Sequence, residues 1–448
     1  MKVALMKRFL IKTLGCRVNQ YESEAMTEYL QSFGYNCIDD GTPIDICIVN
    51  TCAVTSKAAM QSRQIIRQLH RLYPTASIIV TGCYAQTSFD EIERMQVGCS
   101  IIGNDYKYAI CESLIHGNFQ NCSFPPAPQH TICNQTTFQT FPITVTHTRT
   151  RPYLKIQDGC NAFCTYCIVP YARGRSRSMQ VNHVLDQLKH IHAAGYHEAV
   201  LTGINLGEYG KDLHPRISLY DLLVLIDQDS PIQRVRLSSI EPHMISSDMI
   251  ELCSRSSMIC HHFHIPLQSG DSDILKSMGR PYSPEDYRNL IETIRMKLPD
   301  AAIGADVLVG FPTETQTAFE KTLHFIEQLP ISYLHVFPFS PRQGTPASRM
   351  QHKSSSSEIK KRCDVLRKLG TMKKNRFYEQ FVGKIIDVLI EEQDLSTQGW
   401  VKGISSNYLS VSLQGNAELK NNIIPVLIQK MSSEKGLIGT IAQFTKQV

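Results

Sequence analysis

Three cysteines lie close enough together in the sequence to form a metal site. They are Cys160, Cys164 and Cys167, in the pattern Cys-x3-Cys-x2-Cys. Thiolates are soft ligands that suit iron–sulfur clusters, and three of them can hold three irons of a four-iron cubane. The fourth iron would then have no protein ligand and could bind a substrate or cofactor. This spacing therefore predicts a reactive cluster rather than a closed electron-transfer site.

Zinc and disulfides fit this spacing less well than an iron–sulfur cluster does. Structural zinc needs a fourth ligand, and residues 168–173 contain neither cysteine nor histidine. The chain starts without a long apolar signal core, and it has no run of about 20 apolar residues that could cross a membrane. We therefore expect a cytoplasmic protein without membrane contact, in a reducing compartment that favours metal binding or catalysis over disulfides.

A second set of cysteines is dispersed, and each member ends an apolar, strand-like run. The three are Cys16, Cys52 and Cys83, and segments of helical length, such as 22–33 and 56–72, separate the runs. This alternation predicts a parallel sheet. Because the carboxyl ends of parallel strands share one edge, the three thiols would meet there and form a second three-thiolate site. Taken singly, each could also be a small hydrophobe in a core.

The composition is that of a large folded protein. The chain has 448 residues, of which 42% are hydrophobic and 19% charged, and its formal net charge is +5. This length predicts two or three domains with sizeable cores. A net charge so small excludes a chain that binds nucleic acid over its whole surface, although local basic patches could still contact phosphate.

Changes in composition divide the chain into blocks. Residues 7–118 carry the first βα pattern, and residues 119–147, rich in Pro, Thr, Gln and Asn, are predicted to be a linker. Residues 148–381 contain six strand signals separated by helical segments, which favour a partial (βα)6 barrel whose active face is formed by the loops after the strands. Residues 382–445 have short alternating apolar runs typical of a small all-β barrel. The predicted fold class is therefore α/β, with a parallel-sheet domain, a partial barrel and a β-barrel.

The cysteine motifs and their flanks resemble one enzyme family. The pattern Cys160-x3-Cys164-x2-Cys167, with Tyr166 before the last cysteine, resembles the signature of radical S-adenosylmethionine enzymes. The segments TLGCRVNQYES, NTCAVT, TGCYAQ, CIVPYARG and PLQSG are similar to those of the methylthiotransferases in that superfamily; they occupy residues 13–23, 50–55, 81–86, 167–174 and 266–270. The resemblance extends over nearly the whole chain and implies an N-terminal methylthiotransferase domain, a radical barrel and a C-terminal TRAM barrel.

This resemblance implies two 4Fe-4S clusters and S-adenosylmethionine as cofactors. The closely spaced cysteines would bind the radical-generating cluster, and the dispersed ones would bind an auxiliary cluster that carries or supplies sulfur. One electron, delivered by a donor such as a flavodoxin or ferredoxin, would let the first cluster cleave S-adenosylmethionine to a radical that removes hydrogen from substrate. Beyond the cluster ligands, the resemblance implies no catalytic side chain.

Residues at the ends of the barrel strands hold S-adenosylmethionine in this family. The matching positions in this sequence are Tyr166, Gly203, Asn205, Ser239, Glu241, Gln268 and Gly304. For Asn205, Ser239 and Gln268 an equally simple interpretation is a polar side chain that caps local backbone at a strand end.

Members of this family differ in substrate. The segments at residues 15–26 and 81–86 are most similar to the MtaB type, which methylthiolates C2 of N6-threonylcarbamoyladenosine beside the anticodon of tRNA. The alternatives are isopentenyladenosine of tRNA and an aspartate of a ribosomal protein. A more distant alternative is a non-catalytic RNA-binding iron–sulfur protein. The resemblance therefore implies tRNA as the partner.

Several basic residues are candidates for contacting this RNA. A threonylcarbamoyl carboxylate would need a cation, and arginines near the cluster loop and in segment 340–345 could supply it, contact phosphate or pair with nearby acids. The helix predicted over 358–381 has eight basic residues and one acidic residue between 360 and 376, a pattern typical of either a solvated face or an RNA contact. The candidates are Arg173, Arg175, Arg177, Arg342, Lys373 and Lys374.

The last block has a net charge of about zero, which counts against RNA binding by that block alone. We therefore expect RNA to contact the basic helix as well as the β-barrel, with Trp400 and Tyr408 stacking on bases if they are exposed. A position for Trp400 in the barrel core is an equally good interpretation. His262 and His264 alternate on one predicted strand without a fourth ligand nearby, so we interpret them as strand residues rather than metal ligands.

Overall fold

The fold is known from a computed structural model that describes residues 7–38, 42–119, 122, 124, 137–141, 149–351, 354–393, 397–432 and 435–442. Most of the linker predicted over 119–147 lies outside these residues, as do residues 443–445 of the last predicted block. Within the described ranges no helix is both long and apolar enough to cross a membrane.

The first block is a parallel sheet flanked by helices. Its strands are β1 (Arg8–Thr13), β2 (Asn36–Cys37), β3 (Ile46–Thr51), β4 (Ser77–Gly82) and β5 (Ser100–Ile101). Its helices are α1 (Arg17–Ser32), α2 (Ser56–Leu72), α3 (Cys83–Thr87), α4 (Phe89–Glu93) and α5 (Lys107–Ile115). The strands pair in parallel in the order β2-β1-β3-β4-β5. The carboxyl ends of β1, β3 and β4 therefore lie side by side.

Burial and capping account for these elements. All six residues of β3 are buried, as the central strand of a sheet covered on both faces requires. Helix α2 begins after Thr55, whose side chain accepts the backbone N–H of Ala58. The same helix buries Ile66 and Leu69 at helical spacing, so one face packs on the sheet while the other meets solvent.

In its described residues, the second block contains eight β-strands and eight α-helices. The strands are β6 (Tyr153–Lys155), β7 (Gln157–Asp158), β8 (Arg177–Ser178), β9 (Glu198–Thr202), β10 (Arg234–Leu237), β11 (His262–His264), β12 (Ala302–Val309) and β13 (Tyr333–Pro338). The helices are α6 (Val169–Arg173), α7 (Val181–Ala193), α8 (Leu219–Asp229), α9 (Ser247–Arg255), α10 (Ser272–Ser277), α11 (Pro284–Lys297), α12 (Gln316–Gln328) and α13 (Ser356–Glu379).

Six of these strands form the partial barrel. Strands β6, β9 and β10 pair in parallel, as do β11, β12 and β13. A parallel bridge between Val235 and Ile259 joins the two halves, so the six strands follow one another in chain order. Within the described residues β6 and β13 are the edge strands, and the barrel is open between them. The remaining strands, β7 and β8, form a separate antiparallel pair.

The third block is a closed five-stranded barrel that follows the long helix α13. Its strands are β14 (Ile385–Gln393), β15 (Trp400–Ser405), β16 (Ser410–Gln414), β17 (Ile423–Ser432) and β18 (Gly436–Ile441). They close in the order β14-β15-β16-β18-β17. Alternating residues such as Val411 and Leu413 point inward and are fully buried, which is the period expected of barrel strands.

A buried ion pair ties the third block to the partial barrel. Arg236 on β10 donates from Nε to the carboxylate of Glu198 on β9 at 2.7 Å. The same guanidinium donates to the backbone oxygens of Ser405 and Ser406 at 3.0 and 2.9 Å. It also lies 5.3 Å from the ring centroid of Tyr408. The third block therefore covers the partial barrel at the amino ends of its strands.

The predicted α/β fold is confirmed. The parallel first sheet, the six strands of the partial barrel and the five-stranded closed barrel all form where the apolar runs predict them. Tyr408, expected to stack on bases if exposed, is half-buried, and its ring packs on His262 with centroids 4.2 Å apart. Trp400 is half-buried at the start of β15, and the ammonium group of Lys435 lies 4.5 Å from its ring centroid.

We expect Arg236→Met to destabilise the contact between the second and third blocks. The change leaves the fully buried Glu198 carboxylate without its closest cation, which costs about 3–5 kcal/mol. Differential scanning fluorimetry should show a Tm lowered by several degrees, and limited proteolysis should cut the third block faster. Lys384→Met is the control, since the pair that it breaks, with Asp300, is exposed, and its other side-chain contact is with the ring of Phe381. Equal Tm values for the two variants would contradict the argument.

Candidate active site

The three closely spaced cysteines lie on one loop held at both ends by β7 and β8. Gly159 starts the loop with φ +72°, and a Cβ there would lie 2.0 Å from the backbone oxygen of Arg175. Only glycine fits this close approach. Within the loop, the backbone N–H of Cys167 donates to the oxygen of Cys164 at 2.9 Å. The loop therefore brings the thiols of Cys160, Cys164 and Cys167 together beside the carboxyl ends of the barrel strands.

The electrostatics of these thiols fit a soft metal centre. Burial raises the pKa of Cys160 to about 11. Burial, reinforced by the neighbouring Cys164, raises the pKa of Cys167 to about 12. Without a cation the thiols of Cys160 and Cys167 are therefore protonated at neutral pH, and a bound metal would replace their protons. The donor set, three thiols with neither carboxylate nor imidazole among them, suits iron and sulfide rather than a hard cation.

The three dispersed cysteines meet at the carboxyl edge of the first sheet. Cys16 directly precedes α1, Cys52 follows β3 and Cys83 begins α3. Gly15 makes their approach possible, because a Cβ there would lie 2.7 Å from the Cys52 sulfur. Burial, with added repulsion from Cys83, raises the pKa of Cys52 to about 12. The predicted clustering of these thiols is therefore seen in the structure.

Cys16 is an exposed residue at this edge, although its thiol lies among protein groups. Burial raises the pKa of this thiol, and the guanidinium of Arg173 opposes that effect. At the neighbouring thiol, the side-chain amide of Asn104 donates to the Cys83 sulfur at 3.6 Å. Of the three residues in the second set, Cys16 is therefore the one exposed to solvent, while Cys52 and Cys83 are buried.

A buried charge network connects the two sets of cysteines. Arg173, on α6 just beyond the cysteine loop, donates to Glu22 of α1 and to Asp158 of β7, each at 2.9 Å. Its other amino group donates to Asn19, three residues after Cys16, at 2.5 Å. The side chain is 2% exposed. A single guanidinium thus fixes the first sheet against the loop that carries the other three thiols.

Two lysines complete this network. Lys155 of β6 donates to Glu22 at 3.0 Å and to Asp158 at 3.2 Å. Lys107 of α5 donates to the other oxygen of Glu22. Burial alone would raise the pKa of Glu22, but Arg173 and the two lysines outweigh burial and hold that pKa well below its usual value. Glu22 is therefore an anion with three cation partners at neutral pH.

Two buried polar atoms at the barrel rim have no hydrogen-bond partner among the described residues. They are Oδ1 of Asn205, after β9, and Oγ of Ser238, after β10. The side-chain amide of the same Asn205 points at the Cys160 sulfur, 3.7 Å away. Buried polar groups are almost always paired, so both atoms are available to a ligand at this rim. The polar groups of S-adenosylmethionine fit this requirement.

Arg280 lies next to the same loop, between a thiol and a carboxylate. Its guanidinium donates to the Cys164 sulfur at 3.2 Å and to Glu241 at 3.1 Å. Burial raises the pKa of Glu241, and Arg280 opposes that shift. Glu241 is one of the predicted cofactor-binding residues, whereas the sequence analysis missed Arg280, because no spacing rule links it to Cys164, 116 residues earlier.

Four more of the predicted cofactor-binding residues differ in their burial and in the room around them. Gly203 leaves no room for a side chain, since a Cβ there would lie 2.8 Å from the Gln157 amide oxygen. Tyr166 is half-buried, and burial raises its pKa well above the usual value. Ser239 and Gln268 are half-buried at the carboxyl ends of β10 and β11. These four positions stay predictions for cofactor binding.

Gly304 has a packing role. A Cβ at this position of β12 would lie 2.1 Å from Cζ of Tyr333 on β13. The absence of a side chain lets the Tyr333 ring lie across β12, where its hydroxyl is 2.8 Å from Nε2 of His262. A direct contact of Gly304 with a cofactor stays a prediction.

The predicted RNA-contacting arginines near the cysteine loop are mostly buried. Arg173 pairs with Glu22 and Asp158, as described above, and Arg177 lies 3.5 Å from Asp158 while donating to the Arg173 backbone oxygen. Both are under 5% exposed. Their buried ion pairing argues against the expected RNA role, because neither guanidinium faces solvent. Arg175 is exposed and lies 4.7 Å from the ring centroid of Phe163.

The other basic candidates occupy different surroundings. Arg342 is half-buried and donates to Ser56 and to the backbone oxygen of Ala53, directly after Cys52. Lys373 donates to the backbone oxygens of Glu327 and Leu329 at 3.1 and 2.8 Å, and so stabilises the end of α12. Lys374 is exposed. Of these three, Lys374 and the neighbouring exposed cations of α13 keep the geometry expected of an RNA contact.

The two predicted strand histidines, His262 and His264, contact polar side chains of neighbouring barrel strands. His264 and His335 lie 2.8 and 3.3 Å from one carboxylate oxygen of Asp306. Burial would raise the pKa of Asp306, but hydrogen bonds from the two histidines hold it well below its usual value. His262 contacts Tyr333 instead. Both predicted histidines lie on β11; both ring nitrogens of His264 have hydrogen-bond partners, whereas Nδ1 of His262 has none among the described residues.

Comparisons with known proteins agree with this geometry. Residues 8–103 match the family described as uncharacterized protein family UPF0004, and residues 154–326 match the radical SAM superfamily. A Thermotoga maritima protein named threonylcarbamoyladenosine tRNA methylthiotransferase MtaB is 36% identical over 444 residues, which are 98% of each chain. A protein of the same name from Bacillus subtilis is 35% identical over 420 residues, which are 93% of each chain.

A solved structure shares the fold at much lower identity. The radical S-adenosylmethionine methyltransferase TsrM of Kitasatospora setae, with cobalamin and a [4Fe-4S] cluster bound, matches with a TM-score of 0.58. It covers 77% of each chain at 16% sequence identity. This likeness supports the arrangement of the elements, and the predicted family resemblance is confirmed by the relatives named above.

We expect Glu22→Gln to lower the Tm at pH 7, because three buried cations lose their shared carboxylate. In the wild type the folded-state pKa of Glu22 lies below the usual 4.5, so its stabilisation is present above that pH and lost as pH falls further. Tm measured from pH 7 to pH 3 should fall less steeply in the variant. Glu251→Gln, which removes an exposed pair with Lys297, is the control. A wild-type acid dependence in Glu22→Gln would disprove this role.

Proposed function

This chain belongs to the radical S-adenosylmethionine methylthiotransferases, and we propose that it attaches a methylthio group to C2 of N6-threonylcarbamoyladenosine in tRNA. The relatives that carry this activity in their names match at 35–36% identity over almost the full length. The observation that carries the proposal is the pair of three-thiol sites, one on the first sheet and one on the barrel loop, joined through Arg173.

The radical SAM domain implies a 4Fe-4S cluster and S-adenosylmethionine. We propose that Cys160, Cys164 and Cys167 hold that cluster, and that a second 4Fe-4S cluster is held by the thiols at the edge of the first sheet, Cys16, Cys52 and Cys83. When bound, these groups would supply a radical that removes the hydrogen from C2 and a sulfur that takes its place, and a further S-adenosylmethionine would supply the methyl group on that sulfur. A radical is needed because hydride is a very poor leaving group from an aromatic carbon.

Side chains of this protein would hold S-adenosylmethionine at the barrel rim. Asn205 and Ser238 offer buried oxygens whose partners are missing within the described residues, and Glu241 offers a carboxylate. Arg280 would keep that carboxylate oriented while it donates to Cys164. Most of these groups are buried, so the site would exclude water from the reacting atoms. Side chains of the protein, rather than water molecules, would therefore orient the cofactor.

The tRNA and an electron donor are the proposed partners. The exposed cations of α13, including Lys374, would contact phosphate, and the neutral third block would add little charge of its own. A flavodoxin or ferredoxin would supply electrons to the barrel cluster. A tRNA substrate also implies a cytoplasmic site of action.

Iron content tests the two proposed clusters. Anaerobically reconstituted wild-type protein should contain about eight irons per chain, and a triple alanine variant at Cys160, Cys164 and Cys167 about four. The matching triple variant at Cys16, Cys52 and Cys83 should also retain about four. A variant with alanine at Cys253, Cys260 and Cys363, which are buried away from both sites, should keep all eight. Loss of all iron on removing either set would contradict two independent sites.

Mass spectrometry of digested tRNA tests the proposed reaction. Cells that express the gene should contain 2-methylthio-N6-threonylcarbamoyladenosine, and cells without it should accumulate the unmethylthiolated nucleoside. The two nucleosides differ by the mass of the added methylthio group less one hydrogen. If the gene instead changes isopentenyladenosine, or an aspartate of a ribosomal protein, the substrate proposed here is wrong.

A further inference from the structure

Arg17 lies beside the opening of the partial barrel, next to one of the cysteine sites. It is the first residue of α1 and directly follows Cys16. Its guanidinium lies 6.0 Å from the ring centroid of Tyr153 on the edge strand β6. Burial lowers the pKa of His262 inside the barrel, and Arg17 is among the cations that lower it further. The charge of Arg17, at the start of α1, therefore acts on His262 in the barrel.

This cation has no anionic partner within the part of the chain that the structure describes. Its contact with Tyr153 is the interaction that the described residues give it, without a hydrogen bond or ion pair. The first turn of α1 contains no acidic residue. A cation at a helix N-terminus also faces the positive end of the helix dipole, which is unfavourable. Folding alone therefore gives no reason for an arginine at this half-buried position.

Two neighbouring arginines at the same opening each pair with a carboxylate of the protein. Arg149 lies 4.9 Å from the Tyr153 ring on which Arg17 also rests, and it donates to Glu24 at 2.7 Å. Arg151 donates to Glu391 at 2.7 Å. Both are neutralised by carboxylates of the protein. Arg17 differs from them in that no described carboxylate of the protein pairs with it, which leaves its guanidinium available to a carboxylate on a ligand.

The proposed substrate carries such a carboxylate. C2 and C6 of adenine flank the same ring nitrogen, so an adenine whose C2 faces the thiol sites has its N6 substituent only a few bonds away. Threonylcarbamoyl ends in a carboxylate, whereas isopentenyl is apolar. A guanidinium binds a carboxylate through two parallel hydrogen bonds, which gives strength and fixed geometry.

We infer that Arg17 binds the carboxylate of the threonylcarbamoyl group and so selects N6-threonylcarbamoyladenosine over adenosines with an uncharged N6 substituent. This inference rests on the proposed function. It replaces the arginines that the sequence analysis put forward for this role. Of those, Arg173 and Arg177 already pair with acids in the protein, and Arg342 donates to neutral groups beside Cys52. Arg175 is exposed and packs on the ring of Phe163 instead of lying at the barrel opening. The contact makes Arg17 a specificity-determining residue.

The test compares two anticodon stem-loop RNAs that differ by one charge. One carries N6-threonylcarbamoyladenosine and the other its methyl ester, and kcat/KM and Kd are measured for both. Hydrogen bonds to a charged group are worth enough to predict that wild-type protein prefers the free acid about ten- to hundredfold. Arg17→Gln should lose that factor on the acid and treat both RNAs alike. Arg17→Lys should keep part of the preference.

Arg149→Gln is the matched control, because it removes an arginine from the same tyrosine ring while leaving Arg17 in place. It should retain the wild-type preference for the acid. Iron content, and S-adenosylmethionine cleavage without RNA, should match wild type in Arg17→Gln, which separates substrate binding from cluster loss. The wild-type acid-to-ester ratio needs no variant, so a folding defect cannot hide the answer.

Each outcome bears on the inference. Equal use of acid and ester by wild type, or an unchanged preference in Arg17→Gln, would overturn it while methylthiolation of the acid still supports the proposed function. If wild type methylthiolates only isopentenyladenosine, or no RNA, then the proposed function fails and the inference fails with it. A preference lost in Arg17→Gln and kept in Arg149→Gln supports it.

Discussion

The buried charges between the first sheet and the partial barrel set the geometry of everything that reacts. Glu22 and Asp158 face four cations, which are Lys107, Lys155, Arg173 and Arg177. Buried ions of this kind tolerate little displacement, because a carboxylate that loses its partners is left uncompensated in a medium of low polarity. The two thiol sites inherit their relative position from this network, since both loops are anchored in it.

The excess of cations has a chemical effect as well as a structural one. Thiolates are anions, and metal binding at either site needs them deprotonated. Arg173 opposes the rise in the pKa of Cys16 that burial causes, and it acts in the same direction on Cys52. The network therefore stabilises negative charge on the side where the second set of thiols lies. The guanidinium of Arg173 thus both joins the two blocks and favours the thiolate form of Cys16 and Cys52.

Much of the fold could be predicted from the sequence because apolar periodicity and cysteine spacing are local signals. Residues 302–309 form β12 as the apolar run indicates, and the dispersed cysteines lie where strands lead into helices at one sheet edge: Cys16 directly precedes α1, Cys52 directly follows β3 and Cys83 begins α3. The roles of the arginines could not be predicted in this way. Arg173 looks like a surface cation until Glu22, 151 residues away, is found beside it. The packing of Tyr408 could not be predicted either, because its partner His262 belongs to another block of the chain.

The distribution of the network along the chain also bears on synthesis at the ribosome. Glu22 and Lys107 emerge with the first block, whereas Lys155, Asp158 and Arg173 emerge later and bring both signs of charge with them. Each block thus holds an acid and at least one cation of its own before the two meet. Before the second block is synthesised, Glu22 and Lys107 of the first block can pair with each other in water. When Lys155, Asp158 and Arg173 arrive, they would then displace water from charges that are already balanced.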